Sequence, residues 1–275
     1  MFKIHLKDTV LDLTTPLVMG ILNATPDSFF KGSRMEAIDL GVQKAIEMVN
    51  FGASIIDIGG QSTRPGAELI SESIEIERVV PMIKAIHVAL PQIPISIDTY
   101  HAVVAKAAIN AGALLVNDIS CGNFDSKMIP MVVANKVGYI GMHQTGGPGS
   151  MHEVEARTNI MGTLKEYFMH KKSQFLEMGL TEWIMDPGFG FSKTVEENFT
   201  IVKSLAELKS LNLPILLGVS RKSSIYKTLG VDADAALNGT TVLNTIGLQG
   251  GANILRVHDV KEAKEAILLI AKMNA

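Results

Sequence analysis

Short runs of valine, isoleucine and leucine recur along the chain, each closed by polar or glycine-rich residues and followed by a stretch with helical spacing. The runs are "LVMGILN" (17–23), "SIIDIGG" (54–60), "PISIDT" (94–99), "LLVNDI" (114–119), "GYIGMH" (138–143), "WIMDPG" (183–188), "PILLGVS" (214–220) and "NILRVHD" (253–259). In the segments 37–53, 73–90 and 260–274 apolar residues return every three to four positions, the mark of an amphipathic helix. Eight such strand-helix units predict an α/β fold, a parallel eight-stranded (β/α)8 TIM barrel. Residues 1–16 alternate apolar and polar positions and predict a short N-terminal β-hairpin over the barrel bottom. Residues 1–275 read as a single domain, a length common for such barrels.

An open doubly wound sheet shares the alternation of strands and helices, but it usually carries a glycine fingerprint after its first strand. None follows residues 17–23. The strands instead stop at polar groups: Asn23, Asp57, Asp98, Asn117, His143, Asp186, Ser220, and Arg256 with His258. A barrel gathers such strand ends at one mouth, whereas an open sheet spreads them along an edge.

Composition narrows the chemistry. A formal net charge of −3 argues against a nucleic-acid surface, so an anionic ligand must be met by local positive charge. The single cysteine, Cys121, excludes an intramolecular disulfide. The alternating N-terminus lacks a signal-peptide core, and apolar runs such as "AILLIAKM" are too short or too interrupted to span a bilayer, which together predict a cytoplasmic protein with no membrane partner.

Three groups of residues carry candidate chemistry. Asp98, Asn117 and Asp186 end separate strands; singly each is an ordinary cap or turn former, but together they suit a flat heterocycle rich in N–H donors, and equally a metal other than zinc. Arg256 and His258 are two apart on a strand and point to one side, beside "GVSRKSS" (218–224) and a following helix start, which suits a phosphate; the alternative is a surface ion pair with Asp259. The loop "GGQSTRPGAE" (59–68), with Thr63, Arg64 and Pro65, reads with the loop after Asn23 as a pair of lids over the mouth. His143 fits a structural role as well as a catalytic one.

In order along the chain, "MGILNATPDSF", "IIDIGGQSTRPGA", "SIDT", "NDIS", "MH", "DPGFGF", "SRKS" and "RVHDV" resemble the dihydropteroate synthases, the folate-synthesis branch of the pterin-binding barrels. The set "STRPGA", "SRKS" and "RVHDV" is not shared by the corrinoid-linked methyltransferases of the wider family. The resemblance implies a transferase that joins 6-hydroxymethyl-7,8-dihydropterin pyrophosphate to p-aminobenzoate, giving 7,8-dihydropteroate and pyrophosphate, with Mg2+, as a homodimer and a target of sulfonamides.

It further implies that Asp98, Asn117 and Asp186 bond the pterin ring, with Lys222 at its carbonyl side. Phe191 and the stem of Lys222 would flank p-aminobenzoate, and Ser223 would receive its carboxylate. Asn23 would hold Mg2+, and Arg256 and His258 the leaving pyrophosphate. Thr63, Arg64 and Pro65 would come from the second lid and Phe29 from the first. Ionisation of the CH2–pyrophosphate bond would precede amine attack, with the lids excluding water. Three positions depart from the family pattern: Phe30 and Lys31 replace a Ser-Asp pair, and Gln61 stands where glutamate is common. The other readings are a pterin-binding paralog without turnover and a pterin-dependent methyltransferase.

Overall fold

A computed structural model describes residues 2–7, 9–24, 34–61, 68–151, 153–154 and 156–273. An N-terminal antiparallel hairpin, β1 (Lys3–Leu6) and β2 (Thr9–Asp12), precedes the alternating units. These are β3 (Leu17–Asn23), α1 (Arg34–Asn50), β4 (Ile55–Gly59), α2 (Glu72–Ala89), β5 (Ile95–Asp98), α3 (Ala102–Ala111), β6 (Leu115–Asp118) and α4 (Met128–Asn135). There follow β7 (Gly138–Met142), α5 (Ile160–Glu177), β8 (Ile184–Asp186), α6 (Val195–Lys203), β9 (Leu216–Leu217), α7 (Ser223–Leu229), α8 (Leu237–Gly250), β10 (Ile254–Val257) and α9 (Val260–Met273).

The sheet runs β8-β7-β6-β5-β4-β3-β10-β9 with every pair parallel, and a bridge between Met185 and Ile215 closes the ring. The eight-stranded parallel barrel and the hairpin are those the hydrophobic pattern predicts. Most strands are shorter than the apolar runs that contain them, and two fall to three residues or fewer. Pro187 ends β8 at Asp186, since proline has no N–H for the ladder, and the 214–220 run yields only Leu216–Leu217 because the Lys222 N–H already turns back to the Val219 carbonyl. No described helix is long and apolar enough to cross a membrane.

Alternation along the strands sorts side chains into two cores. Val18, Leu22, Ile56, Ile58, Ile97 and Val116 face outward into the layer beneath the helices. Met19, Ile55, Leu115, Ile140, Ile184, Leu216 and Ile254 face inward, where they meet Ile4, Leu6, Leu11 and Leu13 of the hairpin. The hairpin thus plugs the barrel floor, anchored also by the Lys7 N–H to Lys136 carbonyl bond of 2.7 Å. Two residues further along the same faces the interior turns polar. Ile55 is succeeded by Asp57, Leu115 by Asn117, Ile184 by Asp186 and Ile254 by Arg256.

Candidate active site

This polar layer is held together by Arg256. Its Nε donates to Asp57 Oδ2 and its Nη2 to Asp98 Oδ2, each at 2.6 Å. Asn117 Nδ2 donates to the same Asp57 oxygen at 3.0 Å. Asp57 is fully buried, so the guanidinium and the amide are fixed by an oxygen that water does not reach. Burial raises the pKa of Asp98 to about 7, opposed by Arg256 and reinforced by Asp57, Asp118 and Asp186. Asp186 is also raised by burial, with Lys222 the main opposing charge; its Oδ1 accepts from the Gly188 N–H at 2.7 Å. The layer therefore presents acceptors from Asp98, Asn117 and Asp186 around one interior cation, the arrangement the strand ends predict.

Lys222 is the last extended residue before α7, and Ser223 opens that helix, where first-turn N–H groups lack helical partners. The Lys222 ammonium donates to the Phe189 carbonyl and stands 4.5 Å from the centroid of the Phe191 ring. Burial, opposed by Asp186, lowers its pKa. The structure thus brings Lys222 and Phe191 together, as the sequence expectation requires. Phe191 also joins Tyr100, Ile119, Met142 and Met151 in an apolar cluster of its own, separate from the two cores.

Arg256 and His258 sit at different depths. Arg256 reaches inward to its two carboxylates, while His258 follows the last residue of β10, is exposed, and places Nδ1 3.0 Å from Ser220 Oγ. The same hydroxyl accepts the His258 backbone N–H at 3.1 Å. The alternative of an ion pair between these residues and Asp259 is overturned: Asp259 is taken by Arg221, through Nε at 2.9 Å and Nη2 at 2.7 Å.

Asn23 ends β3 beside Gly59 of β4, half-buried. Among the described residues no group of three or more His, Cys, Asp or Glu side chains is placed to hold a metal ion. Phe29, Phe30, Lys31, Thr63, Arg64 and Pro65 lie outside the described residues. Gln61 clips the two ends of the second loop, its Nε2 donating to the Glu68 carbonyl at 3.0 Å and its Oε1 accepting the Ile70 N–H at 2.9 Å. A glutamate could only accept there, so the amide has a physical reason to replace it. His143 is buried edge-on against Tyr167 and Phe168, and burial pushes its pKa far down, which is the structural role. Asp57 was visible only as a strand end; its signal was its place two residues after inward-facing Ile55.

The family model described as "Pterin binding enzyme" matches residues 19–258. The chain is 43% identical to the dihydropteroate synthase of Synechocystis sp. over 259 residues, 93% of this chain and 88% of that one. The crystal structure of Yersinia pestis dihydropteroate synthase in a sulfonamide complex superposes with a TM-score of 0.91 at 35% identity, covering 99% of each chain. That of Xanthomonas albilineans dihydropteroate synthase with 4-aminobenzoic acid does so at 0.91 and 30%, covering 100% of this chain and 99% of the other.

Proposed function

The chain belongs to the pterin-binding enzymes and, within them, to the dihydropteroate synthases, and from that premise we propose how its side chains divide the work of joining a dihydropterin pyrophosphate to p-aminobenzoate. The observation that carries the assignment is the shared Asp57 oxygen. Because Asn117 spends its Nδ2 donor on Asp57, its Oδ1 is left to accept, and with Asp98 and the second oxygen of Asp186 it forms an acceptor set matched to the N–H edge of a pterin. Lys222 supplies the donor for the ring carbonyl. Its stem and the Phe191 ring form the walls for the p-aminobenzoate ring, with the carboxylate at Ser223. Sulfonamides compete for that subsite.

The leaving pyrophosphate is assigned to Arg256 and His258; Thr63 and Arg64 share that role, and Pro65 and Phe29 the aromatic amine, by the match of their motifs to the family's. Asn23 fits Mg2+ as a single neutral oxygen ligand, because this hard cation takes most of its remaining ligands from water and phosphate. When bound, the ion neutralises charge on the pyrophosphate. The methylene carbon–oxygen bond breaks with its electron pair leaving on pyrophosphate, where Arg256 and His258 meet the developing charge. The electron-rich ring carries the resulting cation. The neutral arylamine lone pair then forms the C–N bond and releases a proton to solvent, so no general base is required.

The exposed Val242 and Ile246 of α8 beside Leu268, Leu269 and Met273 of α9 support a homodimer across those helices. The cytoplasm is the compartment that suits a buried free thiol at Cys121. The test of the residue assignments is pyrophosphate release from the purified protein with dihydropterin pyrophosphate and Mg2+, with and without p-aminobenzoate. We expect release that depends on p-aminobenzoate in the parent protein, a raised KM for both substrates in Lys222→Ala, and one for the pterin alone in Asp186→Asn. Unchanged kinetics in both variants discard the ring assignment, and pterin binding without release favours the paralog without turnover.

A further inference from the structure

Lys193 follows the loop that carries Phe189 and Phe191, and only 5% of it is exposed. Its Nζ donates to three backbone carbonyls, those of His143 at 3.1 Å, Gly188 at 3.0 Å and Phe191 at 3.1 Å. An ammonium has three N–H donors and no acceptor, so the cage matches it in number; a neutral amine would leave one carbonyl unmet. Among the described residues no carboxylate bonds it. Burial lowers its pKa to about 7 with Asp186 opposing, which leaves the three carbonyl dipoles as the direct partners of the charge.

The cage fixes the loop from below. Gly188 adopts φ +72, and a Cβ there would sit 2.0 Å from the His143 oxygen and 3.0 Å from Lys193 Nζ, so no side chain fits. The neighbouring carbonyls are gripped in the same manner: Phe189 by Lys222 above, and Ser192 by Arg157 Nη1 at 2.8 Å. The Gly190 N–H is held by Asn198 Oδ1 at 2.7 Å. Four of the five carbonyls from Gly188 to Ser192 thus receive a cationic side chain. Such a loop cannot shift without breaking charge-assisted bonds in a dry site.

We propose that Lys193 is a positioning residue for the aromatic-amine subsite: by pinning the Gly188–Ser192 loop to the end of β7, it sets the gap between the Phe191 ring and Lys222. The inference rests on the reading of Phe191 and Lys222 as the walls of that subsite. Lys193 itself touches no substrate, so its removal acts on the fit of p-aminobenzoate before the pterin.

The experiment is steady-state kinetics of Lys193→Met, which keeps an unbranched apolar stem, of Lys193→Gln, which keeps two donors, and of Gly188→Ala, which disturbs the cage without changing charge. Emission of Trp183, the single tryptophan, buried against Phe168 and Phe175, reports whether each variant retains its core. We expect Lys193→Met and Gly188→Ala to raise the KM for p-aminobenzoate roughly tenfold while that for the pterin stays within about twofold, and Lys193→Gln to recover part of the loss. Equal increases in both KM values, or none in folded variants when Phe191→Ala does raise it, would overturn the proposal. A Phe191→Ala enzyme with an unaltered KM for p-aminobenzoate overturns the subsite reading itself, and this inference with it. Failure of all three variants to fold also overturns it, by making the cage a requirement of the fold instead of the subsite.

Discussion

At the scale of single residues, the charge arrangement at the mouth depends on one oxygen. Asp57 Oδ2 receives both Arg256 and Asn117, and removing one member of a buried ion pair strands the other. Asp57→Asn is expected to lower unfolding free energy by about 3 kcal/mol in urea titrations, and kcat/KM on the order of a hundredfold as Arg256 and Asn117 lose their common anchor. Wild-type stability in that variant would refute the anchoring role. Glu75 on α2 gives a second case: it is 2% exposed, its Oε1 has no hydrogen-bond partner among the described residues, and burial raises its pKa to about 7. The unfolded chain releases this proton near the ordinary glutamate value of 4.5, whereas the folded chain retains it to about 7. Folded protein therefore binds more protons across that window, and stability falls as pH rises through it, then levels off. Glu75→Gln should match the parent near about pH 4 and exceed it by roughly 3 kcal/mol at about pH 8; a difference independent of pH in thermal melts would reject this account.

At the scale of elements, local signals placed helices better than they placed the closing strands. The periodic run 73–90 appears as Glu72–Ala89, started by the Ser71 side chain accepting the Ile74 N–H, and it tolerates Pro81 within it because packing outweighs the lost bond. α6 begins with a capping box in which Thr194 Oγ accepts the Glu197 N–H at 3.1 Å and Glu197 Oε2 accepts the Thr194 N–H at 2.8 Å. This cap directly follows the Lys193 cage, so the helix start and the loop share one foundation. Thr194→Ala is expected to cost about 1 kcal/mol, visible as a melting temperature lowered by roughly 2–4 °C; an unchanged melt would mean that Arg157, which also bonds Glu197, carries the helix start alone. β9 is shorter than its apolar run because the backbone turns at Val219, where the Lys222 N–H reaches back, although the side chains before it are apolar.

At the scale of the whole molecule, an apolar floor sealed by the hairpin supports a polar, nearly dry mouth. Leu6 is completely buried against that floor, close to Gly138, where a Cβ would come within 2.6 Å of it. On the outer helices, Leu268, Leu269 and Met273 of α9 remain 58%, 68% and 73% exposed, the apolar surface on which the proposed homodimer rests. Leu269→Glu should convert a dimer to a monomer in sedimentation velocity runs without changing the Trp183 signal. A parent protein that already sediments as a monomer would remove the dimer from the proposal.

The sequence by itself determined the eight strand-helix units, the hairpin, and the polar residue at nearly every strand end, because these follow from alternation and turn chemistry within a few neighbouring residues. It also carried, through the order of its motifs, the relation to the pterin-binding enzymes. What only the tertiary structure decided is who partners whom. Arg256 meets Asp57 and Asp98 across 199 and 158 residues of chain, and Lys193 meets the His143 carbonyl across 50. Those pairings exist because closing the barrel brings distant strand ends to one mouth, and closure is a non-local event that no window of sequence encodes.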